Sequence, residues 1–130
     1  MTRASNNTVK FGILLPTREA VMSGRSDPSL LYQLAERAEA LGFHSVWVGD
    51  SLTARPRIDA LTTLAAVGAR TSRVRLGTAI FLAALRHPVL LAYQLASLDW
   101  MTGGRVDLGL GFGRRGRASQ EREFRILGLD

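Results

Sequence analysis

No cysteine occurs among the 130 residues, so the chain has no disulfide, no thiolate metal ligand and no cysteine nucleophile. Histidine is nearly as scarce. His44 and His87 are the whole supply, too few to make a zinc site alone. Disulfide-rich secreted scaffolds and zinc fingers are thereby excluded. Long hydrophobic runs are missing too: residues 88–98, the longest, are interrupted by Tyr93, Gln94 and Ser97 and fall short of the roughly 20 residues a membrane span needs. Residues 1–8 are polar and show no signal-peptide pattern. The expectation is a cytoplasmic protein with no membrane partner. Lysine is almost absent, because sixteen of the seventeen basic residues are arginine, and against eleven acidic residues they give a net charge of +6. Such a balance invites a nucleic-acid reading. The arginines are scattered, however, with a dense cluster only at Arg114, Arg115 and Arg117, and the 7% of aromatic residues are not interleaved with them as a stacking platform requires. No nucleic-acid partner is expected. Arginine-rich solvated faces, or guanidiniums that bind an anionic small molecule, account equally well for the charge.

What is present is the composition of one globular domain, with 46% hydrophobic and 22% charged residues. Residues 1–8 read as a disordered tail and residues 9–130 as the domain. Residues 9–15 (VKFGILL) form a short apolar run ended by Pro16, and predict a buried strand. Residues 17–26 lack periodicity and read as a loop. Asp27 and Pro28 then mark a helix start, as cap and first position, followed by Leu30, Leu31, Leu34, Ala35, Ala38 and Leu41 at helical spacing. A second strand is predicted over residues 45–49 (SVWVG), and a second helix opens at Asp59. A third strand covers residues 74–81 (VRLGTAIF), a third helix runs from Pro88 to about Met101 and stops at Gly103-Gly104, and a fourth strand spans residues 105–111 (RVDLGLG). A weak helical segment over residues 119–127 closes the chain.

Strand starts near residues 9, 44, 74 and 105 are separated by about 30 to 35 residues, the length of a strand with its crossover helix. Such alternation implies an α/β fold with a parallel sheet. Two architectures remain, an open doubly wound sheet or part of a (β/α)8 barrel. In both, ligands bind at the carboxyl ends of the strands. The candidate positions are therefore Pro16, Thr17 and Arg18 after the first strand, Asp50, Ser51 and Leu52 after the second, Thr78, Ala79 and Ile80 at the third, and Gly111, Phe112, Gly113 and Arg114 after the fourth. Asp50 follows an apolar strand directly, where a carboxylate needs a hydrogen-bonding partner or a ligand; it caps the next turn or faces a pocket. The glycines of GLGFG (109–113) miss the dinucleotide fingerprint in spacing and position, and read as backbone clearance beside a flat ligand or as a tight turn. Small residues at 77–79 either admit something large or pack strand against helix. His87 reads as a helix-entry residue donating one hydrogen bond, and His44, at the other end of its strand, as structural. No nucleophile elbow, P-loop or paired-carboxylate signature occurs, so no catalytic residue and no metal site is assigned.

Five segments together resemble the N-terminal half of the bacterial-luciferase-like oxidoreductases: FGILLP (11–16), LAERAEALGFHSVWVGDSL (34–52), LTTLAAVGARTSRVRLGTAIF (61–81), RHPVLLAYQLASLDWMTGGRVDLGLGFG (86–113) and EFRILGLD (123–130). The resemblance implies a TIM-type (β/α)8 barrel of which this chain holds the first four units, a half-barrel. It also implies a flavin- or deazaflavin-dependent oxidoreductase, monooxygenase-like, with FMN or coenzyme F-420 across the strand ends and a small organic substrate. By position, Ala79-Ile80 matches the family's bulge after the third strand, often a non-proline cis peptide backing the ring. Asp50 matches the acidic residue bordering the ring, and Gly111 with Gly113 the glycine turn after the fourth strand. The implied cofactor-binding set is Asp50, Ser51, Thr78, Ala79, Ile80, Gly111 and Gly113. Ser51 stands where deazaflavin-dependent members commonly carry histidine, and Arg114 where some carry glutamate; serine without a partner is a weak base. Members draw much of the cofactor-phosphate site from the second half of the barrel, so the chain reads as a fragment, incomplete as an enzyme by itself. Its open sheet edge predicts a homodimer or cover by the missing C-terminal half. The rival reading is a non-catalytic half-barrel that binds an anionic ligand or another chain.

Overall fold

The computed structural model describes residues 9–24, 26–113 and 116–129. The expected tail at residues 1–8 lies outside the described residues, as do Arg114 and Arg115 of the arginine cluster. Four strands, β1 (Gly12–Leu14), β2 (Ser45–Val48), β3 (Arg75–Leu82) and β4 (Val106–Gly111), alternate with helices α1 (Thr17–Met22), α2 (Ser29–Ala40), α3 (Ala60–Arg70) and α4 (Pro88–Met101), and α5 (Ala118–Ile126) follows β4. A single 3-10 turn, Ala83–Leu85, links β3 to α4. All strand pairs are parallel and the sheet order is β1-β2-β3-β4. A doubly wound sheet reverses its order at a switch point. This one does not, and the barrel reading stands.

The helix boundaries follow local chemistry. Asp59 caps α3, its carboxylate accepting the Thr62 N–H at 2.8 Å. Pro88 opens α4 at the position where its missing N–H costs nothing, and Gly103 and Gly104 close it with φ of +68° and +76°. Three expectations shift. The first strand is shorter and less buried than residues 9–15 predict: β1 spans only Gly12–Leu14, and Val9, Phe11 and Leu14 are exposed. Helix α2 begins at Ser29 with Pro28 in the cap position, while Asp27 accepts the Ser29 N–H at 2.9 Å and its hydroxyl at 2.6 Å from one residue further out. Residues 17–22, read as loop, form α1. Arg18, Glu19, Ala20 and Met22 are good helix formers, but the helix is short and mostly exposed, so no apolar period marks it.

Val46, Val48, Leu76 and Phe81 project from one face of the sheet into a core shared with Leu31, Ala35 and Ala38 of α2, Ala60, Leu64 and Val67 of α3, and Leu91 and Leu98 of α4. Full burial of each larger aliphatic or aromatic side chain contributes about 1.5–3 kcal/mol. The opposite face carries the alternate residues. There Trp47 pairs in register with Gly77, and the indole occupies the space a side chain at Gly77 would need. Arg75 and Asp107 form a two-point ion pair, Nε to Oδ2 at 2.6 Å, near the amino ends of their strands. Leu14 and Ile80 remain half exposed. One-sided helical cover is what a section of barrel wall has: helices outside, interior open.

Candidate functional site at the strand ends

The carboxyl ends of β2, β3 and β4 surround a cavity of about 450 Å³. Gly49, Asp50 and Ser51 reach it from β2, Ala79, Ile80 and Leu82 from β3, and Phe112 and Gly113 from β4. Ala54, Arg55 and Arg57 of the following loop line it, and Arg117, Ser119, Gln120 and Glu123 close it from α5. A larger groove of about 730 Å³ lies along the outer surface of α3 and α4. It contains no strand-end residue apart from the neighbourhood of Arg86 and His87, and strand ends are where this architecture places ligands.

Local geometry at β3 shapes the cavity wall. The Ala79–Ile80 peptide is cis, and the β3–β4 register shifts between Thr78 and Phe81, so these two residues leave the ladder and stand exposed at the cavity. Thr78 compensates. Its buried hydroxyl accepts the Gly109 N–H and donates to the Gly109 carbonyl, both at 3.0 Å, occupying backbone groups of β4 that the shifted ladder does not pair. Gly109 permits this approach, because a Cβ there would collide with the Thr78 carbonyl oxygen. Gly111 is buried beneath the Ile80 side chain. Of the seven positions expected at the cofactor, Asp50, Ser51, Ala79, Ile80 and Gly113 line the cavity; Thr78 and Gly111 lie behind its wall.

Two side chains that sequence reading missed organise this wall. Arg86 clasps Asp50 at two points, Nη1 to Oδ2 at 2.6 Å and Nη2 to Oδ1 at 3.0 Å, and reaches Asp59 at 3.3 Å. Its guanidinium lies 4.1 Å from the centre of the Phe81 ring. The same Asp50 carboxylate, only 3% exposed, accepts the Leu82 N–H at 2.9 Å. Asp50 therefore anchors the segment after the bulge, a use of its charge that neither turn-capping nor a free pocket carboxylate describes. Glu123, the other missed residue, is buried on α5. Its Oε1 accepts the Ser51 hydroxyl at 3.0 Å and the N–H groups of Thr53 and Ala54 at 2.7 and 3.0 Å. Burial pushes its pKa up, but these donors outweigh that and hold it below the ordinary value. Arg86 had a signal, an arginine two residues before the proline that opens a helix. Glu123 had none, since its partners lie about 70 positions away.

The remaining candidates fall outside the cavity lining. Thr17 is buried with its hydroxyl unpartnered among the described residues, and Arg18 is half buried with its Nε likewise. His87 occupies the cap position of α4, exposed and without a side-chain capping bond, so the single hydrogen bond expected of it is not made there. His44 sits before β2, at the opposite end from the cavity. Arg114 lies outside the described residues. Among the described residues no cluster of potential ligands suits a metal ion, and no helix is long and apolar enough to cross a membrane.

A parallel sheet in unreversed order, helices on one face and a cavity at the strand ends define part of a (β/α)8 barrel wall. The chain belongs to the luciferase-like monooxygenase family, whose model matches residues 9–126. It is 35% identical over 106 residues to a 5,10-methylenetetrahydromethanopterin reductase of Methanopyrus kandleri, covering 81% of this chain and 27% of that protein. It is 45% identical over 94 residues to an F420-dependent glucose-6-phosphate dehydrogenase of Nakamurella multipartita, covering 66% and 27%. Among solved structures, a monooxygenase from Streptomyces bottropensis superimposes with a TM-score of 0.73 at 32% identity, covering 94% of this chain and 37% of that one. The chain thus spans about a quarter of the curated relatives it matches and 37% of the solved monooxygenase.

Proposed function

We propose that this chain supplies one wall of the active site of a flavin- or deazaflavin-dependent oxidoreductase acting on a small organic molecule, with FMN or coenzyme F-420 lying at the strand ends. The observation that carries the reading is the cavity itself. Its volume falls within the few hundred cubic ångströms typical of small-molecule sites, and Ala54 and Ala79 leave its sides bare enough for a flat ring. Ile80 and Phe112 add apolar surface against which a ring can pack. When bound, the cofactor supplies electron transfer; the chain's own residues orient it and exclude water. Ala79 and Ile80 back the ring. Asp50, held by Arg86, keeps the end of β3 in position behind them, while Ser51 and Gly113 border the ring and Thr78 and Gly111 support the wall.

The family membership and the oxidoreductase names of the relatives favour this reading over a non-catalytic binding module. The same proposal places the protein in the cytoplasm, which cell fractionation tests. It also treats the chain as a fragment whose interior face is covered by further β/α units, those of a C-terminal half or of a second copy. Among the described residues β1 and β4 each have one strand neighbour, and unpaired edges are templates for association.

Fluorescence titration with FMN and with coenzyme F-420 tests the site. Ala79→Phe fills the space claimed for the ring, and overpacking of about 1–3 kcal/mol corresponds to cofactor binding weakened roughly 5- to 150-fold. Thr62→Phe, exposed on α3, is the control. Unchanged affinity in Ala79→Phe, with both variants folded by circular dichroism, would mean that the ring lies elsewhere.

A further inference from the structure

The rim of the strand-end cavity carries more positive charge than its carboxylates balance. Arg55 and Arg57 come from the loop after β2, and Arg117 from the position capping α5. Several arginines elsewhere are engaged, Arg70 with Glu36, Arg75 with Asp107, Arg86 with Asp50 and Asp59, Arg105 with Thr71 and backbone carbonyls, while others such as Arg37 are solvated on outer helix faces away from the cavity. Among the described residues the guanidiniums of Arg55, Arg57 and Arg117 have no such partner. The two carboxylates of the cavity are already committed, Asp50 to Arg86 and the Leu82 N–H, Glu123 to the donors of residues 51–54. Arg57 is also seated. Its Cζ lies 2.9 Å from where a Cβ on Gly49 would stand, so the guanidinium rests on the bare backbone at the end of β2.

Guanidinium groups pair with phosphate and carboxylate through two parallel hydrogen bonds, and uncompensated cations in a cleft concentrate anions there. We infer that Arg55, Arg57 and Arg117 form an oxyanion site at the cavity rim, holding a phosphate or carboxylate group of the molecule bound in the cavity. The inference rests on the cavity being the ligand site, and adds the chemical class of what enters: an organic anion. The oxyanion belongs either to the substrate or to the phosphate of the cofactor.

The test is titration of the ¹⁵N-arginine-labelled chain with inorganic phosphate, chloride keeping ionic strength constant. The Nε–H signals of Arg55, Arg57 and Arg117 shift together and saturate. Arg57→Gln removes a charge-assisted pair and weakens phosphate binding about tenfold. Gly49→Ala displaces Arg57 without touching its charge, and weakens binding at an unchanged thermal midpoint. Arg37→Gln, exposed on α2, has no effect. Titrations with FMN and riboflavin identify the source: if FMN moves the three signals and riboflavin does not, the site holds the cofactor phosphate; if neither moves them, it holds the substrate's anion. The inference is overturned if phosphate shifts all exposed arginines alike, or if Arg57→Gln binds phosphate as the parent does. A flavin that perturbs no residue anywhere counts against the cofactor reading and leaves the oxyanion site standing.

Discussion

Thr78 shows how a single hydroxyl maintains an irregular strand. Where β3 leaves the ladder, its Oγ1 both accepts from and donates to Gly109, and Thr78 itself is 1% exposed. Thr78→Val keeps the shape and deletes the hydroxyl, leaving the part-buried N–H and carbonyl of Gly109 short of a partner at a cost of about 1–3 kcal/mol. Urea unfolding should show that loss, and Thr78→Ser should recover most of it. If valine is as stable as threonine, water or another donor serves Gly109. The residue was legible in sequence as a strand-end position but not as a backbone substitute, because that role depends on a register shift that the run VRLGTAIF does not reveal.

At the scale of elements, α5 is fastened to the β2–α3 loop by one carboxylate. Glu123 receives its donors from Ser51, Thr53 and Ala54, and its pKa lies below the ordinary glutamate value because those donors outweigh the opposing effect of burial. A group whose folded pKa is depressed contributes stability that is present above its unfolded pKa and is lost as pH falls through the folded one. The unfolded value is about 4.3, so the attachment loosens below that pH and is intact at neutrality. Amide hydrogen exchange checks this. Thr53 and Ala54 should lose protection as the solution is acidified through that range, and Glu123→Gln should lose it already at pH 7, while the amides of α4 keep theirs. Protection that survives in Glu123→Gln would assign the loop's order to packing. The helix itself was visible in the sequence as a weak segment over residues 119–127. Its attachment was not, since a glutamate within EREFRI has nothing local to distinguish it from its charged neighbours.

For the whole molecule, the decisive feature is apolar surface left open on the outer side of the wall, on α4. Helix α4 buries Leu91 and Leu98 against the core but exposes Val89, Leu90, Tyr93, Trp100 and Met101, Trp100 to 84%. Large apolar side chains exposed together on one helix mark a candidate association surface. Light scattering of the purified chain should therefore report a dimer or larger species at micromolar concentration, with Trp100→Glu shifting it toward monomer. A parent chain that is monomeric throughout that range would count against α4 as a contact surface between copies.

Apart from the short α1, strand and helix order, the parallel sheet and the placement of polar residues at its carboxyl ends were written into the sequence, because each is a local matter: apolar runs of strand length, helical spacing between them, and Asp59, Pro88 and Gly103-Gly104 as start and stop signals. Short-range chemistry does not carry pairings across the chain. Asp50 with Arg86 spans 36 positions, and Glu123 with Ser51 spans 72. Folding brings those groups together, and burial then determines which charges are consumed in holding the wall and which, at Arg55, Arg57 and Arg117, have no carboxylate partner among the described residues. Their identity could be read from the sequence; their availability is a property of the tertiary structure, because a guanidinium is free only when the nearby carboxylates already have closer partners.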